Sequence, residues 1–396
     1  MLALSGLKVL DVTQVMAGPF CSQLLGDLGA QVTKVEPPGS GDSTRLHMGT
    51  ILPGGESSAF LAVNRNKRSI SIDLKDARGL EVFRRLVKDA DVLVENLRPG
   101  VTRRLGIDYE TLREVNPQLI YASISGFGQN GPYAQRSGYD LIAQAMSGVM
   151  SVTGEPGREP VKCGIPIADL SAGLFCVIGI LSAHAARQRT GEGQHIDVSL
   201  FESALALSIW ETAELWATGK TPGPVGSAHR MSAPYQKLRT ADGHVVVGAN
   251  NERLWKSLCS VIGRPELETD ARFATNTVRM RHLEELTAEL ESAMSQRGTQ
   301  EWMELFLDVG LPAAPIHDYA QVCADPHAIA RNMVVTMDHP TEGTVRGLGI
   351  PIKMSGTPGE IRRPAPLLGA HTDEILQEAG FTDEQISAFR ETGAVR

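Results

Sequence analysis

The chain has 396 residues, 42% of them hydrophobic, with 46 acidic against 38 basic side chains and a formal net charge of −8. That length and apolar content suffice for a sizeable core shared between two domains, with no long polar tract to stay disordered. An acidic balance excludes nucleic acid and anionic membrane surfaces as expected partners, so a bound anion has to be held by local basic clusters.

In chain order, Lys8 to Val12 reads as a buried strand, Pro19 to Leu28 as a helix that stops at Gly29, and Gln31 to Val35 as a second strand. This βαβ unit implies a parallel sheet. The alternation continues with a helix over 77–88, strands over 91–94 and 119–125, and a helix over 139–149. A long apolar helix is predicted over 170–188; its longest apolar run, about 174–181, is broken by Gly179 and too short to span a bilayer, and the helix is expected to be buried. A short strand at 195–198 and a helix over 201–217 complete this part. After Thr221-Pro222-Gly223-Pro224 the pattern changes: a hairpin over 235–249 turning at Asp242-Gly243, then helices near 252–262, 278–296 and 299–308. The tail regains a strand over 344–352 and ends in helices. The expected organisation is a large α/β domain of residues 1–224, completed by 326–396, and a smaller α+β domain of 225–325.

The five cysteines, Cys21, Cys163, Cys176, Cys259 and Cys323, include no C-x-x-C pair, and the first residues show no basic region followed by a long apolar stretch. Reduced thiols and a cytoplasmic location are expected. The histidines form no H-E-x-x-H or other ligand pair, and no metal site is expected.

Asp169 is the only acid between Glu159 and Glu192, and it opens the long apolar helix. Position alone favours an N-cap, whose carboxylate accepts from the first helical N–H groups. The same placement suits a carboxylate held ionised by the helix dipole and able to attack an activated carbonyl. Gly126-Phe127-Gly128-Gln129-Asn130-Gly131 matches G-x-G-x-x-G, but Pro132 follows where a helix must open, and no acid lies about 20 residues on. A dinucleotide-dependent oxidoreductase is therefore disfavoured. The turn Val15-Met16-Ala17-Gly18-Pro19 precedes a helix, where free N–H groups suit a phosphate as readily as they make a plain turn. Basic residues cluster at Arg65, Lys67 and Arg68, at Lys75, and at Arg98, Arg103 and Arg104. Arg98 follows a strand whose carboxyl end is a ligand position in open α/β sheets.

Several segments, in order, resemble the class III CoA-transferase family. They include Leu4-Ser5-Gly6-Leu7-Lys8-Val9-Leu10-Asp11, Ala17-Gly18-Pro19, Leu25-Gly26-Asp27-Leu28-Gly29-Ala30, Lys34-Val35-Glu36-Pro37-Pro38-Gly39, Val94-Glu95-Asn96-Leu97-Arg98-Pro99-Gly100, Ser137-Gly138-Tyr139-Asp140 and Pro366-Leu367-Leu368-Gly369-Ala370-His371-Thr372. The resemblance implies a Rossmann-like large domain with a smaller α+β domain, in an interlocked homodimer. It puts the nucleophile at Asp169, and CoA contacts at Val15, Met16 and Ala17, at Ile72, Asp73, Leu74 and Lys75, at Asn96, Leu97 and Arg98, at Arg104 and at Tyr139. It implies CoA as a substrate, with no tightly bound cofactor. The formyl-CoA branch has a glycine run in its small domain, where this chain has only Gly248-Ala249-Asn250-Asn251. Asn64-Arg65-Asn66-Lys67, Ala228-His229 and Pro234-Tyr235-Gln236 are closer to the succinate–hydroxymethylglutarate branch. That likeness implies a dicarboxylate substrate such as succinate, glutarate, malate or itaconate. Arg65, and after it Arg45 or Arg230, is expected to hold the distal carboxylate.

The alternatives are a formyl-CoA:oxalate or carnitine-type transferase, a 2-methylacyl-CoA racemase and a CoA-binding regulatory module. Racemases of this superfamily have a histidine where this chain has Tyr139, and a tyrosine titrating near 10 is a poor proton-exchange base.

Overall fold

The computed structural model describes residues 1–396. Six short runs form one parallel sheet: β1 (Lys8–Asp11), β2 (Gln31–Glu36), β3 (Lys67–Ser71), β4 (Val92–Glu95), β5 (Ile120–Ser125) and β6 (His195–Ser199). Their order is β3-β2-β1-β4-β5-β6. This is the doubly wound order, in which the chain reverses direction between β1 and β4 and leaves a crevice at their carboxyl ends.

Helices cover both faces, which is why these strands carry apolar side chains on both sides. Val9, Val92, Val94 and Ile120 pack with Cys21 and Leu25 of helix Ala17–Asp27 and with Ala172, Cys176 and Ile180 of the 24-residue helix Ile167–Thr190. On the other face Leu10, Val35, Ile70 and Leu93 meet Val82 and Phe83 of helix Ala77–Lys88, and Ile375 and Phe389 from the tail. Each fully buried side chain of this size contributes about 1.5–3 kcal/mol. The tail closes the β3 edge: Val395 bridges Ile72, and Asp73 N–H donates to the Ala394 carbonyl.

Chain contacts divide the molecule into two units. One comprises residues 1–149, 162–213 and 326–396, the other 150–161 and 214–325. Relative to the expected ranges, segments 150–161 and 214–224 go to the smaller unit. In that unit the predicted hairpin pairs Tyr235–Arg239 with His244–Gly248, and Ala313–Pro315 adds an unpredicted third strand. Trp255, Leu258, Leu290, Trp302 and Phe306 form its core. The helix expected over 201–217 is two helices, Leu200–Ala206 and Ile209–Thr218. The tail strand is Gly343–Leu348, in a hairpin with Val334–His339.

β3 is the instructive miss. Lys67 and Arg68 make it read as an exposed basic cluster, yet Lys67 is wholly buried. Its ammonium donates to Asp11 at 2.9 Å, to the Pro19 carbonyl at 2.9 Å and to Asn64 at 2.7 Å. Asp11 also accepts from Ser22 Oγ at 2.6 Å and from Thr13 N–H at 2.9 Å. Burial alone would raise the Asp11 pKa, but Lys34, Lys67 and these hydrogen bonds hold it well below the usual range. Burial, opposed by Asp11, brings Lys67 down to about 8.

Replacing Asp11 by alanine strands the Lys67 ammonium in the core. We expect Asp11→Ala to lose about 3–5 kcal/mol of stability, as for other half-broken buried pairs. Urea unfolding followed by circular dichroism measures it; a loss under 1 kcal/mol contradicts the assignment.

Candidate active site

At the carboxyl edge of β1, β4 and β5 lies a cavity of about 350 Å³. Its walls come from the turn after β1 (Gln14, Val15, Met16, Ala17), the turn after β4 (Asn96, Leu97, Arg98, Pro99), the end of β5 (Ile124, Ser125, Gly126), the segment Arg136–Asp140, Leu200 and Asp169.

The two turns are tied to each other and to the core. Gln14 N–H donates to Asn96 Oδ1 at 2.8 Å, and Asn96 Nδ2 returns a bond to the Gln14 carbonyl at 2.7 Å. Val15 N–H donates to Asp42, which pairs at 3.0 Å with the buried Lys34 ammonium. Lys34 also donates to the Thr13 carbonyl at 2.8 Å. These contacts hold Val15 at a φ of 72°, a left-handed conformation that a β-branched residue adopts only under such constraint. Under the other turn, Glu95 accepts from Leu97 N–H at 2.8 Å. Burial pushes the Glu95 carboxyl up to about 7 despite this bond and one from Ser123.

Asp169 is not the N-cap expected of it. The helix starts at Ile167 after Pro166, with no capping side chain of its own. The cap comes from another element: Asp140 Oδ1 accepts from Ala168 N–H at 2.9 Å and from Asp169 N–H at 3.4 Å. Asp140 is itself held by Gln144 Nε2 at 2.6 Å. The Asp169 carboxyl is thereby left free, in the first helical turn, facing the cavity. The helix dipole does not hold its pKa down: burial first and the neighbouring Asp140 charge second push it up to about 7. The small residues Ala168, Ala172 and Gly173 let this helix approach the turn after β1. A Cβ on Gly173 would lie 2.9 Å from the Ala17 carbonyl oxygen.

The G-x-G-x-x-G segment has another use. Gly126 and Gly138 stack backbone on backbone, and a Cβ on Gly138 would sit 2.2 Å from the Gly126 Cα. This contact seats Arg136–Asp140 beside β5. Gly128 and Gln129 N–H groups donate to Ser125 and Asp197, so two candidate oxyanion donors of that loop are already engaged.

Of the residues singled out in the sequence, Val15, Met16, Ala17, Asn96, Leu97, Arg98, Tyr139 and Asp169 line the cavity. Ile72, Asp73, Leu74 and Lys75 follow β3 on the same carboxyl edge but outside it; Ile72 is buried and Lys75 exposed. Arg104, on helix Val101–Leu105, is exposed and also outside.

None of the three arginines expected to hold a substrate carboxylate is among the residues that line this cavity. Arg65 is buried against Asp27, with Nη2–Oδ2 at 2.7 Å and Nε–Oδ1 at 3.0 Å. Arg45 is buried between Glu36 and Glu56, its guanidinium 3.5 Å from the Phe60 ring centre. Arg230 belongs to the smaller unit, where it donates to the Gly223 carbonyl. The cavity residues that sequence reasoning left without a role include Gln14, Arg136 and Asp140. Only Asp140 had a signal, its place in Ser137-Gly138-Tyr139-Asp140.

The profile of CoA-transferase family III matches residues 4–372. The chain belongs to this family. A succinyl-CoA:glutarate CoA-transferase of Homo sapiens is 39% identical, covering 99% of this chain and 90% of that protein. An acetyl-CoA:oxalate CoA-transferase of Acetobacter aceti is 44% identical over 94% of this chain and 95% of its own. The crystal structure of a CaiB/BaiF family protein from Brucella suis superposes with a TM-score of 0.85 at 41% identity, covering 96% of this chain and 99% of that one. The protein is therefore a CoA-transferase, and its mixed α/β fold with a six-stranded parallel sheet is that of its family.

A carboxyl titrating near 7 remains partly protonated at neutral pH, and only the protonated acid couples to a carbodiimide. We expect water-soluble carbodiimide to label Asp169 with a midpoint near pH 7, read by peptide mass mapping. In Asp140→Asn an acceptor for Ala168 N–H remains but the charge is gone, so the midpoint moves down, while burial keeps it above the ordinary carboxylate value. An unchanged midpoint removes Asp140 from this role.

Proposed function

We propose that this enzyme moves CoA from succinyl-CoA to a small dicarboxylate of the glutarate, malate or itaconate class, through covalent intermediates on Asp169. The observation that carries the reading is the free Asp169 carboxyl at the cavity on the carboxyl edge of β1, β4 and β5. The substrate class rests on relatives named for glutarate, citramalate and mesaconate, all with succinyl-CoA.

The ionised Asp169 attacks the donor thioester carbonyl; the C–S bond breaks and CoA leaves as thiolate, giving an aspartyl–acyl anhydride. The thiolate attacks the aspartyl carbonyl of the anhydride and releases the donor acid as carboxylate, leaving an aspartyl–CoA thioester. The acceptor carboxylate attacks that thioester, forming a new anhydride and freeing thiolate. Thiolate attack on the acceptor's carbonyl then yields the new acyl-CoA and restores Asp169. No net proton is gained or lost. A carboxyl near 7 makes a stronger nucleophile than an ordinary aspartate while remaining substantially ionised at neutral pH. Each attack develops an oxyanion, for which one well-placed N–H donor contributes about 3 kcal/mol. The turns after β1 and β4 support a CoA-binding role, with Arg98 as the cation toward the CoA side.

Incubation with succinyl-CoA alone is expected to leave a CoA or succinyl adduct on Asp169, detected by mass spectrometry. Asp169→Ala is expected to abolish both adduct and turnover; full turnover in that variant refutes the mechanism. A panel of short mono- and dicarboxylate acceptors tests the substrate class.

The working form is a homodimer. Helix Ile167–Thr190 is long and apolar enough to cross a membrane, and its outer face exposes Leu174, Phe175 and Ile178. This face borders an apolar groove of about 1130 Å³ that also includes Leu24, Leu61, Met337 and Leu348. We assign the groove to a second copy of the chain, in the cytoplasm, where the five free cysteines stay reduced. Light scattering is expected to give a dimer mass, and Ile178→Glu a shift toward monomer; a monomeric parent chain overturns this.

A further inference from the structure

We propose that Arg136 is the residue that reads the distal carboxylate of the acyl group; the assignment rests on the Asp169 chemistry above. A dicarboxylate bound with one end at Asp169 needs a cation for the other, and burying an unpaired carboxylate is costly. Arg45 and Arg65 are consumed by buried ion pairs in the core. The cavity itself contains two arginines, Arg98 and Arg136, and neither has a carboxylate partner.

The mounts of these two differ. Arg98 follows β4 in the turn bonded to Gln14, on the side assigned to CoA. Arg136 belongs to the segment that reaches Asp169. Two residues on, Gly138 is stacked against Gly126 at the end of β5. Four residues on, Asp140 caps the helix that bears Asp169. Arg136 therefore lies just ahead of two fixed points, one on the sheet and one on the helix that bears Asp169, and it lines the same cavity as Asp169.

The side chain is also preorganised. Arg136 N–H donates to the Tyr133 carbonyl at 2.8 Å, and its guanidinium lies over the Tyr133 ring, 3.9 Å from its centre. Tyr133 in turn stands edge-on to Phe127 at 5.8 Å. Stacking uses the face of the guanidinium and leaves its N–H edge for a bidentate carboxylate. The guanidinium is exposed in the free enzyme, so a bound substrate has only to displace water.

The test compares Asp169 acylation by succinyl-CoA and by butyryl-CoA, which has the same acyl chain length without the distal carboxylate. Mass spectrometry reads the rates in the parent enzyme, Arg136→Gln and Arg136→Lys. We expect the parent to favour succinyl-CoA. In Arg136→Gln the succinyl rate falls about 10- to 100-fold, as for loss of a charge-assisted pair, while the butyryl rate holds. Arg136→Lys restores part of the preference. A preference that survives intact in Arg136→Gln, or an equal fall with both donors, overturns the role of Arg136 and leaves the Asp169 mechanism standing. Absence of any Asp169 adduct in the parent enzyme is the separate failure of that mechanism.

Discussion

One buried carboxylate holds the carboxyl edge of the sheet together. Asp11 ends β1 with no exposure to solvent, and it is bonded by Lys67 from β3, Ser22 from the following helix and Thr13 from the turn between. Lys34 from β2 sits beside it and ties the same turn to Asp42. Charges out of water are tolerated only when their partners are complete, and here every partner is a different strand, helix or turn. The cluster therefore acts as a register lock: three strands and the first helix must be in place together before all of its charges are satisfied.

The consequence is seen at the turn above it. Val15 is held with positive φ, and the turn is cross-bonded to Asn96 on the neighbouring strand end. The pair of turns that lines the cavity is thus held by the protein's own bonds, a condition that spares any ligand bound there part of its ordering cost. Asp169 follows the same logic with different parts. Asp140, from outside the helix, takes the capping role that the first-turn acid would otherwise take, and so leaves the Asp169 carboxyl without backbone bonds. Burial and the Asp140 charge then raise its pKa rather than lower it. A free, basic carboxyl is the more useful one for attacking a thioester.

Arginines are sorted by the same electrostatics. Those that sit among the strands and helices of the large unit, Arg45 and Arg65, are committed to acids and to carbonyls. Those at the cavity rim, Arg98 and Arg136, are uncommitted and remain available to anionic parts of a substrate. A basic residue in a motif is therefore no guide to ligand contact until its acid partner is known.

Much of the architecture was legible in residue order. Alternating strand and helix signals pointed to a parallel α/β sheet, and the lone acid opening a long apolar helix singled out Asp169. These features depend on near neighbours in the chain, and periodicity reports near neighbours faithfully. β3 was hidden because its lysine is neutralised by an aspartate 56 positions away. The cap on the Asp169 helix was hidden because it comes from Asp140, 28 positions before the N–H it accepts. Arg65 and Arg136 look alike in sequence; only tertiary structure gives one an Asp27 to pair with and leaves the other at the cavity. Residue order singled out Asp169 as the candidate carboxylate. The folded chain decided that the Asp169 carboxyl is free of backbone bonds and raised in pKa, and that Arg136 rather than Arg65 lines the same cavity, because both depend on charges brought together across the chain.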